Sequence, residues 1–228
     1  MRRYRHNKNA CMPEEEFAEG LKGLVFDIDG VLFDSRTSNI EYYNIIRRTV
    51  QLPPISPEDE DFCHQASVQE CMERIIPPPY REAAEEACRQ INYMDQLLPM
   101  LALEPGLLET LHWLQSWNVR MAIFTNRSTS VGELLRYFGL EHFFQPVKTS
   151  ANSPPKPSPE GLLGILSEWN VAPCAIAFLG DSKVDELAAS GAGVPFWAFR
   201  NAGLDARLHF DDYFTMISLI TPLVEGRY

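Results

Sequence analysis

Short apolar runs recur along the chain, each ending in polar residues and each separated from the next by a stretch of helical periodicity. The runs are 24–26 (LVF), 119–124 (VRMAIF), a weaker one near Pro146-Val147, 175–179 (AIAFL) and 194–199 (VPFWAF). Between them lie PGLLETLHWLQSW, with Pro105 suited to a first helical turn, VGELLRYFG, stopping at Gly139, and SPEGLLGILSEW after Ser158. Continuous apolar strands joined through helices build an α/β fold, a parallel sheet covered by helices.

One segment breaks the alternation. Over 36–104 there is no convincing strand, only helix-like pieces separated by LPPISPEDED and IIPPPY. About 70 residues is too long for a connecting loop in a compact domain, so the segment reads as an inserted helical module. It leaves after the first strand and returns before EPG, which would place it over the C-terminal strand ends where ligands bind in such sheets. The expected division is a flexible tail (1–20), a core (21–35 and 105–228) and a helical cap (36–104).

The first run passes directly into two carboxylates, Asp27 and Asp29, within LVFDIDGVLFDS. Residues two apart in an extended chain share a side, so the pair repels, and burial raises the cost of keeping both charged. A cation between them, or a proton on one, relieves this. Three other stretches supply companions. AIFTNRS carries Thr125 and Asn126, SPPKPSPEG carries Lys156, and FLGDSKVDEL carries Gly180, Asp181 and Asp185. The carboxylates suit a hard cation such as Mg2+, while Thr125, Asn126 and Lys156 are donors for an anion with several oxygens. Each residue also has a commoner role: Asp27 and Asp29 as helix N-caps, Thr125 and Asn126 as caps for STSVGELL, Lys156 as a solvated lysine, Asp185 as a first-turn acid. Taken together they favour a metal and a phosphate.

With DIDGV, TN, KP and GDSKVD in order, the chain resembles the haloacid dehalogenase superfamily of phosphohydrolases. DGVLFDS, KPSPEG and DELAASGAGVPF are similar to its phosphoglycolate-phosphatase-like branch, and the resemblance covers about 21–199. It implies a Rossmann-like parallel sheet core with helices on both faces, plus an inserted all-helical cap. It also implies Asp27 as the nucleophile that forms an aspartyl phosphate, and Asp29 as the general acid and base, protonated at the start. Mg2+ would be held by Asp27, the Asp29 backbone carbonyl and Asp181, with Asp185 as ligand or orienter. Thr125 and the Asn126 backbone would hold phosphoryl oxygens, and Lys156 would offset their charge. In HQASVQEC, His64 and Ser67 fall where related caps place a loop that meets the substrate, although a surface histidine and an N-cap serine are the commoner roles.

The implied activity is a Mg2+-dependent phosphatase acting on a small phosphorylated metabolite. The alternative is a sugar phosphomutase of the β-phosphoglucomutase kind, and a non-catalytic binding module with the same fold is opposed by the intact Asp27. Phosphonate-cleaving members use a cap lysine, and 36–104 has none. Dehalogenating members lack the second aspartate, here Asp29.

Net charge is −11, which disfavours nucleic acid and anionic membrane as partners. No apolar run approaches the roughly 20 residues of a membrane span, and MRRYRHNKNACMPEEEFAEG lacks the apolar centre of a signal peptide. Five scattered cysteines without a CxxC pair suit reduced thiols and a cytoplasmic setting. A monomer or homodimer is expected. Residues 34–104 hold 6 arginines against 13 acidic residues, which argues against a second highly anionic group on the substrate.

Overall fold

The computed structural model describes residues 17, 20–65, 68–128 and 130–225, with 61, 64, 65, 93 and 94 described by their backbone alone. Most of the expected tail lies outside these residues. Its described part is anchored: Phe17 is buried and donates its N–H to the Cys174 carbonyl oxygen (2.9 Å).

The chain runs through β1 (Gly23–Phe26) and β2 (Phe33–Asp34) into α1 (Arg36–Thr49), α2 (Pro57–Gln65), α3 (Val68–Ile75), α4 (Arg81–Gln90) and α5 (Tyr93–Gln96). It continues through β3 (Ala102–Leu103), α6 (Leu107–Ser116), β4 (Arg120–Phe124), α7 (Val131–Tyr137), β5 (Val147–Lys148) and α8 (Glu160–Trp169). β6 (Ile176–Gly180), α9 (Lys183–Ala192), β7 (Phe196–Phe199), β8 (Leu208–Phe210) and α10 (Tyr213–Glu225) complete it. Two compact units result. One runs to Phe33 and resumes at Leu103; the other is Asp34–Ala102.

In the first unit six strands form a parallel sheet in the order β5-β4-β1-β6-β7-β8. Val25 stands opposite Ala122 on one side and Phe178 on the other. Because side chains alternate along a strand, Val25, Ala122 and Phe178 share one face with Leu162 and Ile165 of α8 and Ala188 and Ala189 of α9. Their neighbours point the other way. There Phe26 meets Phe144 (5.6 Å between ring centres) and Phe199 meets Tyr213 of α10 (4.9 Å). Helices therefore cover both faces, as the apolar runs predict.

The chain steps from β1 outward to β4 and β5, then crosses back to β6 and continues the opposite way. This reversal creates a switch point at the C-terminal ends of β1, β4 and β6, where such sheets hold ligands.

The structure differs from the sequence reading at three places. β8 is an unexpected sixth strand, and β2 pairs with β3, a short strand inside the segment read as wholly helical. Pro105 precedes α6 instead of opening it, because Gly106, at φ 81°, is the N-cap.

The second unit has its own core around Tyr43, Ile46, Cys71, Ile75 and Ala84. Arg47 donates to the Pro53 and Ile75 carbonyl oxygens, and Arg74 pairs with Asp59 (2.8 Å) while stacking on Phe62. Both arginines serve the internal packing of this unit. Among the described residues no helix is long and apolar enough to cross a membrane.

Candidate active site

The switch point gathers most of the residues singled out in the sequence. Asp27 follows β1, its N–H still donating to the Leu179 carbonyl oxygen of β6 (2.9 Å). Thr125 follows β4 and continues the ladder to Lys148 (3.0 Å). Asp181 follows β6, and Asp185 lies in the first turn of α9.

Lys156 sits at the centre. Its ammonium is 2.7 Å from Asp27 Oδ1 and 2.6 Å from Asp185 Oδ1, with all three side chains buried. Burial works against the Lys156 charge, but Asp185 and Asp27 more than offset it and raise its pKa above the ordinary lysine value. The lysine is held by its backbone as well: Asn126 donates from Nδ2 to the Lys156 carbonyl oxygen (3.0 Å) and accepts its N–H at Oδ1 (2.7 Å). The Asn126 side chain therefore fixes Lys156; it does not cap α7.

Asp185 fills two roles. One oxygen faces Lys156, while the other accepts from the Ser182 N–H (3.0 Å) and hydroxyl, completing a capping box at the start of α9. The commoner role foreseen for it, a first-turn acid, is the place it occupies in α9, and both the capping box and the contact with Lys156 are additional.

Asp27, Asp181 and Asp185 each offer an oxygen, all within 4.8 Å of one another. Burial pushes Asp27 up to about 7, opposed by Lys156 and reinforced by Asp185 and Asp29. Burial likewise raises Asp181 well above the usual carboxylate range, with Asp27 and Asp185 adding repulsion. Two glycines permit this crowding. A Cβ on Gly30, which has φ +71°, would stand 2.1 Å from Asp181 Oδ2, and one on Gly180 would stand 2.5 Å from the Asp185 Cβ.

The donor set fits Mg2+. With all three carboxylates ionised, the single Lys156 ammonium leaves two negative charges, the complement of a divalent cation with oxygen ligands.

Asp29 turns to a different partner. Arg127 donates from Nε to Oδ2 (2.7 Å) and from Nη2 to Oδ1 (2.6 Å), a two-point contact suited to a carboxylate. Each aspartate of the opening pair therefore has a protein cation of its own: Lys156 serves Asp27 and Arg127 serves Asp29. Neither Arg127 nor Asn201, whose Nδ2 donates to the Asp181 carbonyl oxygen (2.8 Å), was singled out in the sequence. Arg127 adjoins the TN pair, and that adjacency is the signal which could have found it. Ser67 and the His64 side chain lie outside the described residues.

A model of the family described as haloacid dehalogenase-like hydrolase matches residues 24–199. A phosphoglycolate phosphatase from Pseudomonas putida is 30% identical over 193 residues, covering 79% of this chain and 70% of that protein. Phosphoglycolate phosphatase 1 from Pseudomonas aeruginosa is 37% identical over 192 residues, with the same 79% and 70% coverage. Among solved structures, a HAD-superfamily hydrolase of subfamily IA, variant 1, from Geobacter sulfurreducens is 34% identical. It covers 88% of this chain and 97% of its own, with a TM-score of 0.77. The order of the motifs, the sheet that carries them and these matches agree, and the chain belongs to the haloacid dehalogenase-like hydrolases.

Proposed function

We propose that the chain is a Mg2+-dependent phosphatase that hydrolyses a small phosphorylated metabolite through an aspartyl phosphate on Asp27. The observation that carries this reading is the cluster of buried Asp27, Asp185 and Lys156 with partly buried Asp181 at the switch point of the sheet. Asp27, the Asp29 backbone carbonyl and Asp181 would hold the cation, with Asp185 orienting Lys156 from beside them. When bound, Mg2+ supplies positive charge to the phosphoryl oxygens and keeps Asp27 ionised.

Asp27 attacks phosphorus, forming an oxygen–phosphorus bond as the bond to the leaving oxygen breaks. Asp29 gives its proton to that oxygen. It then takes a proton from a water molecule, which attacks phosphorus, releases phosphate and restores Asp27. The charge of Arg127, which donates to both Asp29 oxygens, favours the ionised Asp29 that the second transfer needs. It opposes the protonated Asp29 that the first transfer starts from, so that starting proton is held against the pull of the arginine. Thr125 Oγ1 accepts from the Arg127 N–H (3.2 Å), so its own hydroxyl proton can point at a phosphoryl oxygen. Lys156 offsets the charge shared by nucleophile and phosphoryl group.

The inserted unit, Asp34–Ala102, is the cap in this reading, and it selects the substrate. Incubation with aryl, alkyl and sugar phosphates in Mg2+ tests the proposal. Release of inorganic phosphate is expected; conversion of one sugar phosphate into its isomer without net release would mark a phosphomutase and overturn it.

A further inference from the structure

We propose that Arg127 is a positioning residue for Asp29, and that it thereby sets how strongly turnover depends on the leaving group. The inference rests on the reading of Asp29 as the group that protonates the leaving oxygen. The Asp29 side chain is 32% exposed, so packing alone leaves it several staggered positions. The Arg127 side chain is 12% exposed, and its fork grips both Asp29 oxygens, which fixes the plane of the carboxylate as well as its place.

The arginine is itself anchored. Its carbonyl oxygen accepts from the Ser150 N–H (2.9 Å) and hydroxyl (3.2 Å), and its N–H donates to Thr125 Oγ1 (3.2 Å). The guanidinium is thus referenced to the loop that carries Thr125 and Asn126. Proton transfer needs donor and acceptor within about 3 Å, and a misplacement of about 1 Å costs about 100-fold, so a tether of this kind has kinetic consequences. Arg127 touches no reacting atom in this account; it acts through Asp29. A lysine there offers a point charge and cannot reproduce the two-point grip.

The test compares kcat/KM for glycerol phosphate, an alkyl ester, and p-nitrophenyl phosphate, an aryl ester whose leaving group needs little protonation. It uses Arg127→Met, Arg127→Lys, Asp29→Asn and the double variant Asp29→Asn with Arg127→Met. Arg127→Met is expected to lower alkyl turnover about 10- to 100-fold, with a smaller loss on the aryl ester. Arg127→Lys should recover part of the alkyl turnover, and it carries the test if the methionine variant fails to fold. In the Asp29→Asn background, Arg127→Met should cost little further, because the group it positions is already disabled. Calorimetric Mg2+ affinity should be the same in Arg127→Lys and the parent. Equal losses on both esters, a rise in the alkyl-to-aryl ratio, or a full additional loss in the Asp29→Asn background would each overturn the inference. Should Asp29→Asn alone leave the ratio unmoved, the acid assignment itself fails and takes this inference with it.

Discussion

At the scale of single residues, the two aspartates two positions apart are separated by their partners. Asp27 meets a buried ammonium, while Asp29 is itself 32% exposed and pairs with a guanidinium, so the residues should fail differently. Asp27→Asn should remove essentially all turnover, since the other carboxylates are engaged elsewhere, Asp29 by Arg127 and Asp185 by Lys156 and Ser182, with Asp181 assigned to the cation. Asp29→Asn should harm alkyl phosphates more than p-nitrophenyl phosphate, and equal losses would mean that Asp29 is not the acid. The raised Asp27 also ties metal to protons. Without metal its carboxyl holds a proton below about pH 7, and a metal ligand must be ionised. Mg2+ affinity should therefore weaken as pH falls through that value, with proton release on binding. Calorimetry at about pH 6 and about pH 8 checks this, and equal affinities with no proton release would contradict it.

At the scale of elements, β1, β4, β6 and β7 were legible because a strand buried on both faces is a continuous apolar run. β8 was not: Leu208, His209 and Phe210 are too few, and His209 is exposed at the sheet edge. The loops after the strands were legible as motifs but not as contacts. Asn126 grips a backbone 30 residues away, and Arg127 reaches an aspartate 98 residues away; only the folded sheet brings these together. A lone arginine before STSVGELL reads as the approach to a helix. The turn after β1 carries a prediction of its own. Gly30→Ala forces a Cβ toward Asp181 Oδ2 at a positive φ, so Mg2+ binding should weaken about 10- to 100-fold, measured by titration; unchanged affinity would show that Asp181 does not need that approach. For the helical insertion, substitutions at His64 and Ser67 should shift relative kcat/KM among metabolites while Mg2+ affinity stays the same. Selectivity that stays fixed would place the specificity element elsewhere.

At the scale of the whole molecule, the proposed chemistry is confined to one unit of a two-unit chain. Every residue proposed for bond making lies before Phe33 or after Leu103, and the Asp34–Ala102 unit holds a separate core with its own arginine ties. In the proposed reaction Mg2+ matches the two negative charges that Lys156 leaves when Asp27, Asp181 and Asp185 are all ionised. Phosphate release from p-nitrophenyl phosphate, followed as EDTA and then excess Mg2+ are added, tests it most directly. The account predicts loss of turnover in EDTA, recovery with Mg2+, and inhibition when Ca2+ replaces it, because looser and higher coordination misplaces the nucleophile. Full turnover in the chelator would contradict it.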